Sequence, residues 1–234
     1  MITFGVVVDR FFGAVLGRLV TLAIPTRGTE RKLLARELVA LYRNLQLAAE
    51  LCQTVTERLD SGAPIGIEDD GWLLEIDWQA EIVSREMIHT VRRLKGALEV
   101  MDPPLARALE VLYEDKFSLL MIASSAIHFE PGSLRVWDAS DALCNLHIEN
   151  LLRRLDGPDV LEYVDWPYGA VTGGLRQGES AFDETSISVL DSHENRERVR
   201  AVSARLTLHR LALLDASRTV SEYVRAKFDL SDVL

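Results

Sequence analysis

The chain contains 234 residues, of which 48% are apolar, and 26 Lys and Arg stand against 36 Asp and Glu, a formal net charge of −10. This length fits one large domain, and the apolar content excludes wholesale disorder. The acidic balance argues against a general affinity for nucleic-acid backbones, which requires a surplus of basic residues. Two cysteines, Cys52 and Cys144, are too few for a disulfide scaffold or a four-cysteine zinc site.

The N-terminal residues 2–24 form an apolar stretch that is long enough to cross a bilayer, since about 20 residues suffice. The stretch also contains Asp9, Arg10 and Arg18, and each charge near the middle of a membrane costs roughly 2.5–3.5 kcal/mol. At helical spacing the large apolar residues share one broad face, and Asp9, Arg10, Gly13, Gly17 and Thr21 lie opposite it. The sequence therefore predicts an amphipathic N-terminal helix within residues 1–27.

This N-terminal helix has two features of a contact surface. Gly13 and Gly17 have the spacing that lets two helices approach closely, in a membrane or in a soluble bundle. Basic residues follow, and Lys and Arg after an apolar segment favour the cytoplasmic face of a membrane and anionic headgroups. The predicted partner or membrane contacts are Phe4, Val8, Phe11, Gly13, Val15, Gly17, Leu19, Leu22, Arg27, Arg31 and Lys32. The alternative is that residues 2–24 pack on the rest of the chain as an ordinary helix.

Two long helices with heptad spacing are predicted next. Residues 29–60 and residues from about 71 to 101 both place apolar side chains at alternating intervals of four and three, the pattern of antiparallel bundles and coiled coils. The first apolar seam is Leu34, Leu38, Leu41, Leu45, Ala48, Cys52, Val55 and Leu59. The second is Ile76, Ala80, Val83, Met87, Thr90, Leu94, Ala97 and Met101. Such seams can close within one chain or between two chains.

The remainder of the chain also favours helices. A third helix is expected over about 104–129, a fourth from there to about 155, and a last one over about 192–228. Residues 156–190 are rich in Pro, Gly and acids and predict an irregular loop, and no segment indicates a strand. We therefore expect an all-α fold, an up-and-down antiparallel bundle of about five long helices over residues 28–234 that follows the amphipathic N-terminal helix.

Two groups of residues have partial metal-site spacing. Glu86 and His89 have the Glu-x-x-His spacing of di-iron bundles, but such a site needs two of these motifs and two further glutamates. Asp141, Cys144 and His147 step by three, which winds them partly around a helix, and no second cluster completes four ligands. We expect solvated surface residues at the first group and no bound metal or cofactor.

Arg85 and His89, like Arg205 and His209, are separated by three residues on predicted helices. This arrangement resembles the HEPN ribonucleases, helical bundles whose active site is an Arg, four to six intervening residues and a His. The resemblance covers only these residues, and the spacing here is shorter than in the family. It implies RNA cleavage with a histidine as acid or base. His209 also falls in an apolar seam, where a structural hydrogen bond is the simpler interpretation.

The sequence favours a non-catalytic helical interaction, scaffold or regulatory protein. We expect it to contact a protein partner or a second copy of itself through the N-terminal helix, as a homo-oligomer. The expected location is the cytoplasm, either free or attached to the inner membrane face. The alternative is a helical-bundle enzyme, metal-dependent or HEPN-like, that uses His89 or His209.

Overall fold

A computed structural model of the chain describes residues 13–15, 17–19, 21–22, 24, 28–62, 70–99, 101–110, 127–130, 133–139, 182–188 and 196–233. The described elements are, in order, α1 (Thr29–Asp60), α2 (Asp70–Leu98), α3 (Pro103–Glu110), β1 (Ile127–Glu130), β2 (Ser133–Ala139), β3 (Phe182–Ser188), α4 (Arg196–Lys227) and α5 (Leu230–Val233). Residues 13–15, 17–19 and 21 are also helical, and with residues 22 and 24 we call them the N-terminal segment. Most described residues are helical, which confirms the predicted helical class.

Glycines bound helix α1 at both ends. Gly28 precedes the helix with φ 125°, and Gly62 follows it with φ 68°, conformations that a side chain would strain. At the C-terminal end, the N–H of Ser61 donates to the carbonyl of Glu57, and the N–H of Gly62 donates to that of Leu59. The helix ends where the sequence predicts because a glycine can reverse the backbone there.

The predicted apolar seams form the core. In α1, Leu34, Leu38, Leu41, Leu45, Val55 and Leu59 are buried, and Ala48 and Cys52 are partly buried against them. In α4, the residues buried at intervals of three and four are Val202, Leu206, His209, Leu213, Ala216, Val220 and Tyr223. Helix α1 packs along both α2 and α4, so it lies at the centre of the described bundle.

Two apolar clusters divide the core along α1. The larger one joins the N-terminal segment, the first two thirds of α1 and the second half of α2 to α3 and the C-terminal half of α4. The smaller one joins Val55 and Leu59 of α1 to Ile76 of α2 and to Val202 and Leu206 of α4. Burial of these side chains is the main favourable contribution to folding, at about 25 cal/mol per Å² of apolar surface.

Polar side chains link the helices within this apolar core. Between α1 and α2, the buried Asn44 side chain donates to the Thr90 hydroxyl over 3.0 Å. Arg93 donates from Nε to the buried Glu37 carboxylate over 2.8 Å. Between α1 and α4, Ser203 donates to Asp60 over 2.6 Å. Because buried polar groups need partners, these pairs select one alignment of the helices over a shifted one.

A three-stranded antiparallel sheet adds an element that the sequence did not predict. Strands β1 and β2 occupy 127–130 and 133–139, where the third and fourth helices were expected, so the helical prediction is wrong there. The register pairs Glu130 with Ser133, and the two residues between them are Pro131 and Gly132. Pro and Gly favour turns, and the Ile, Phe, Val and Trp of these strands favour extended backbone.

Strand β3 corrects the prediction of an irregular acidic loop over 156–190. Residues 182–188 pair with β2, from Ser133 opposite Ser188 to Ala139 opposite Phe182, which gives the strand order β1-β2-β3. Strand β1 lies next to α2, and β3 lies next to α4. The rest of that loop, like most of the predicted fourth helix, lies outside the described residues.

Candidate functional site

The N-terminal segment packs on the chain's own bundle. Val15 and Leu19, predicted as partner or membrane contacts, are 2% and 0% exposed and belong to the larger core cluster. The Tyr223 hydroxyl of α4 donates to the backbone carbonyl of Leu19 over 3.0 Å, and Arg18 donates from Nε to Asp102 over 2.8 Å. These two apolar side chains therefore face the chain's own core in this fold, and their contact with an outside partner or a membrane stays a prediction.

The other face of the N-terminal segment is exposed. Gly13 and Gly17 are open to solvent, and a Cβ atom added at either would meet no atom within 4 Å. Their spacing therefore marks no close helix crossing within the described part of the chain. Leu22 is half-buried against the core. The predicted contacts Phe4, Val8, Phe11 and Arg27 lie outside the described residues.

Arg31, predicted as a basic contact residue, joins the start of α1 to the end of the bundle. Its Nε donates to Asp232 over 2.8 Å, its Nη2 donates to the Lys227 carbonyl over 2.6 Å, and its guanidinium lies 4.9 Å from the centre of the Phe228 ring. The backbone N–H of Asp229 and the Arg31 guanidinium hold the pKa of Asp232 below its usual value. Arg31 is thus a structural anchor, whereas Lys32 beside it is exposed.

Among the described residues, the candidate catalytic and metal-binding side chains do not gather into one site. Glu86 and His89 are exposed on α2, and Arg85 is paired with Glu81 one turn away. His209 is 5% exposed, and it is not without an interaction partner. No group of three or more potential metal ligands occurs among the described residues, and Asp141, Cys144 and His147 lie outside them. None of the described helices is both long and apolar enough to span a bilayer.

A groove of about 420 Å³ lies where the end of α4 and α5 meet α1. Its walls are mainly apolar, from Val39, Val224, Phe228 and Val233, and its volume is within the range of small-molecule sites. Its charged lining residues, Arg225 and Asp229, are both exposed to solvent. Because no buried polar group is present to orient a ligand, we assign none to it.

The strongest candidate surface is on α2, on the side that faces away from the core. Leu74, Trp78 and Ile82 are 67%, 61% and 37% exposed. They follow one another at intervals of one turn, so all three lie within about 40° of Trp78 around the helix. Ile76 of the core lies about 160° away from Trp78. Three large apolar side chains thus form a continuous row in solvent.

Charged residues border this row on both sides and continue it. Glu75 and Glu81 lie about 60° to either side of Trp78, and Arg85 and His89 lie within about 20° of it, further along the helix. All four are exposed. We call the set Leu74, Glu75, Trp78, Glu81, Ile82, Arg85 and His89 the outer face of α2. This row is not among the contacts predicted from the sequence, because its residues lie outside the apolar seam of the helix, although their spacing of four is visible there.

Comparison of the chain with protein-family models, with curated proteins and with solved structures finds no match in any of the three. The function is therefore inferred from the residues and surfaces described above.

Proposed function

We propose that the chain is a non-catalytic helical interaction protein and that it contacts its protein partner through the outer face of α2. The observation that carries this proposal is the exposure of Trp78, at 61%, between the exposed Leu74 and Ile82. Interface energies are dominated by a few large side chains, among which Trp is strongly enriched, surrounded by polar groups that exclude water. The apolar row and its charged border have that composition.

This proposal keeps the class of function expected from the sequence and changes the place of contact. Val15 and Leu19 support an internal role for the N-terminal segment, because they are buried in the core. Attachment to the cytoplasmic membrane face would depend on Phe4, Val8 and Phe11, which lie outside the described residues. The acids beside Trp78 make the outer face of α2 a poor surface for anionic lipid.

The proposed framework for this surface is an up-and-down antiparallel bundle. Two sets of contacts support this arrangement. From α1 to α2, Glu37 pairs with Arg93 and Asn44 with Thr90, so the residue number falls in one helix as it rises in the other. From α1 to α4, the same holds for the pairs Gln46–Ser217 and Asp60–Ser203. Rigid helices hold the outer face of α2 in a fixed shape, which favours binding.

The enzyme alternative has weaker support from the described residues. His209 is too deeply buried to reach an RNA phosphate, and Arg85 and His89 are exposed on α2, outside the described groove between α1, α4 and α5. We expect the purified chain to contain no stoichiometric metal and to show no RNA cleavage that His89→Ala abolishes. Activity that this substitution removes would favour the enzyme.

Site-specific photo-cross-linking tests the proposed interaction. A photoreactive phenylalanine analogue replaces Leu74 on the outer face of α2 in the full chain, expressed in its source cells. The matched control carries the analogue at Leu211, which is also apolar and 53% exposed but lies on α4. We expect a discrete protein adduct from position 74 only, and its loss when Trp78→Ala is added. Equal adduct patterns from positions 74 and 211 would contradict the proposal.

A further inference from the structure

The outer face of α2 changes sign along its length, and this polarity identifies a partner. Its N-terminal half carries the apolar row with the carboxylates of Glu75 and Glu81, whereas its C-terminal half carries Arg85 and His89. A surface that is negative at one end and positive at the other complements itself when a second copy lies antiparallel to it. The following inference rests on the proposed interaction function.

We propose that the outer face of α2 binds a second copy of this chain, with the two α2 helices antiparallel around a two-fold axis between Glu81 and Arg85. These two residues already form an ion pair within one helix, and their side chains are 65% and 62% exposed. Both lie on the same side of Trp78 around the helix, and antiparallel helices bring residues of the same side together. Each carboxylate then lies between two guanidinium groups, its own and that of the second copy.

The apolar side chains fit the same arrangement. Ile82 lies next to the axis, where it meets Ile82 of the second copy. Trp78 lies further out and faces the segment of the second copy that contains Arg85 and His89. An Arg guanidinium over a Trp ring is a favourable contact when water is excluded. The register therefore buries the most exposed aromatic ring of the described helices against Arg85 and His89 instead of carboxylates.

Other occupants satisfy this face less well. A parallel second copy would bring Glu75 of one helix and Glu81 of the other to the same edge of the contact, because parallel helices bring opposite sides together. A wholly basic helix would attract the acidic half of this face, but its basic side chains would repel Arg85 in the other half. The net charge of −10 repels a second copy at long range, but salt at physiological strength screens charges beyond about 8 Å. The local alternation of charge then determines the alignment.

Sedimentation equilibrium of the purified full chain over a wide concentration range, at physiological salt, tests this inference. The variants are Glu81→Arg, Arg85→Glu and the double reversal. In the dimer, Glu81→Arg places four guanidinium groups around the axis and Arg85→Glu places four carboxylates there, whereas the double reversal restores alternation. The matched control is Asp215→Arg, which makes the same charge change in the exposed Asp215–Arg218 pair of α4.

We expect the unmodified chain to form a dimer and each single reversal to weaken it by at least about tenfold in Kd. The double reversal should return within a few-fold of the original value, and the control should have no effect. Equal thermal unfolding of all variants verifies that they fold. A chain that stays monomeric at every concentration overturns the inference. Adducts from position 74 to a different protein would then show that the proposed function itself still stands. Single reversals without rescue by the double reversal refute the antiparallel alignment.

Discussion

The position of the N-terminal segment can be tested by truncating one of its side chains. Leu19→Ala removes a fully buried side chain from the larger core cluster, at 0% exposure. It keeps the backbone carbonyl that accepts the Tyr223 hydrogen bond, so the change acts on packing alone. If the segment instead served a membrane or an outside partner, the isolated chain would lose no stability when this side chain is shortened.

The expected loss follows from the burial of Leu19. Leu→Ala at a fully buried position destabilises proteins by about 2–5 kcal/mol, because apolar contacts are lost and a cavity remains. At roughly 2–4 °C per kcal/mol for a chain of this size, the Tm falls by about 4–20 °C. Gly17→Ala is the matched control two residues away. Gly17 is helical and exposed with no atom near an added Cβ, so alanine there should stabilise the helix by about 0.5–1 kcal/mol.

The assay is equilibrium urea unfolding followed by far-ultraviolet circular dichroism, with all three proteins measured side by side. The two substitutions are expected to move the midpoint in opposite directions, with the larger shift from Leu19→Ala. A midpoint for Leu19→Ala equal to that of the unmodified chain would refute the docking of this segment on the bundle. The same result would restore the N-terminal helix as the candidate contact surface.

Three further predictions concern buried polar groups. Burial raises the pKa of the Cys52 thiol from 9.0 to about 11. In the Cys144→Ser variant at about pH 8, we therefore expect thiol reagents to label the chain only after it unfolds. Rapid labelling of the folded chain would contradict this expectation. Burial also raises the pKa of Tyr223 from 10.0 to about 12. The folded state therefore keeps the Tyr223 proton more strongly than the unfolded state, and the resulting contribution to stability is complete below pH 10 and is lost as the pH rises through 12. Tyr223→Phe should therefore lower the free energy of unfolding by about 0.5–1.5 kcal/mol at neutral pH and reduce the loss of stability between pH 10 and pH 12. An unchanged loss over that pH range would show that Tyr223 does not cause it. Arg93→Ala should cost about 1–3 kcal/mol in urea unfolding, because the Glu37 carboxylate stays buried without that partner. Adding Glu37→Gln should recover part of the loss, and no recovery would argue against the pair.

The long helices could be predicted from the sequence because their seams have a regular period. The first helix was expected over 29–60 and is observed as Thr29–Asp60, and the last was expected over 192–228 and is observed as Arg196–Lys227. In both, apolar residues recur at intervals of three and four over about nine turns, a signal that no strand produces. At α1, the glycines at positions 28 and 62 mark the two boundaries.

The strands were missed because short apolar runs have no distinctive period. The run from Ile127 to Glu130 is too short to separate a strand from one turn of a buried helix. The run also fits the end of a helix over about 104–129, and Pro131-Gly132 also fits a break between two helices. Because Ile127 and Phe129 precede this dipeptide and Val136 and Trp137 follow it, Pro131-Gly132 is typical of the turn of a hairpin.

The sequence and the structure favour different surfaces as the candidate contact. The broad apolar face of the N-terminal helix is real at Val15 and Leu19, but amphipathicity cannot tell an internal partner from an external one. Tyr223 and Asp102, which hold the segment on the bundle, are far from it in sequence, so no local pattern could reveal them. The spacing of Leu74, Trp78 and Ile82 is visible in the sequence. Their exposure, however, follows only from the structure, which shows that α2 buries its opposite side.

The hydrogen bond from Tyr223 to Leu19 joins residues that are 204 positions apart in the chain. A growing polypeptide therefore exposes the apolar side of its first helix long before the ribosome has made the last helix that covers it. Contacts of such long sequence separation slow folding and leave apolar surface open to association in the meantime. We expect nascent chains that stop before α4 to be bound by chaperones, and completion of α4 to release them.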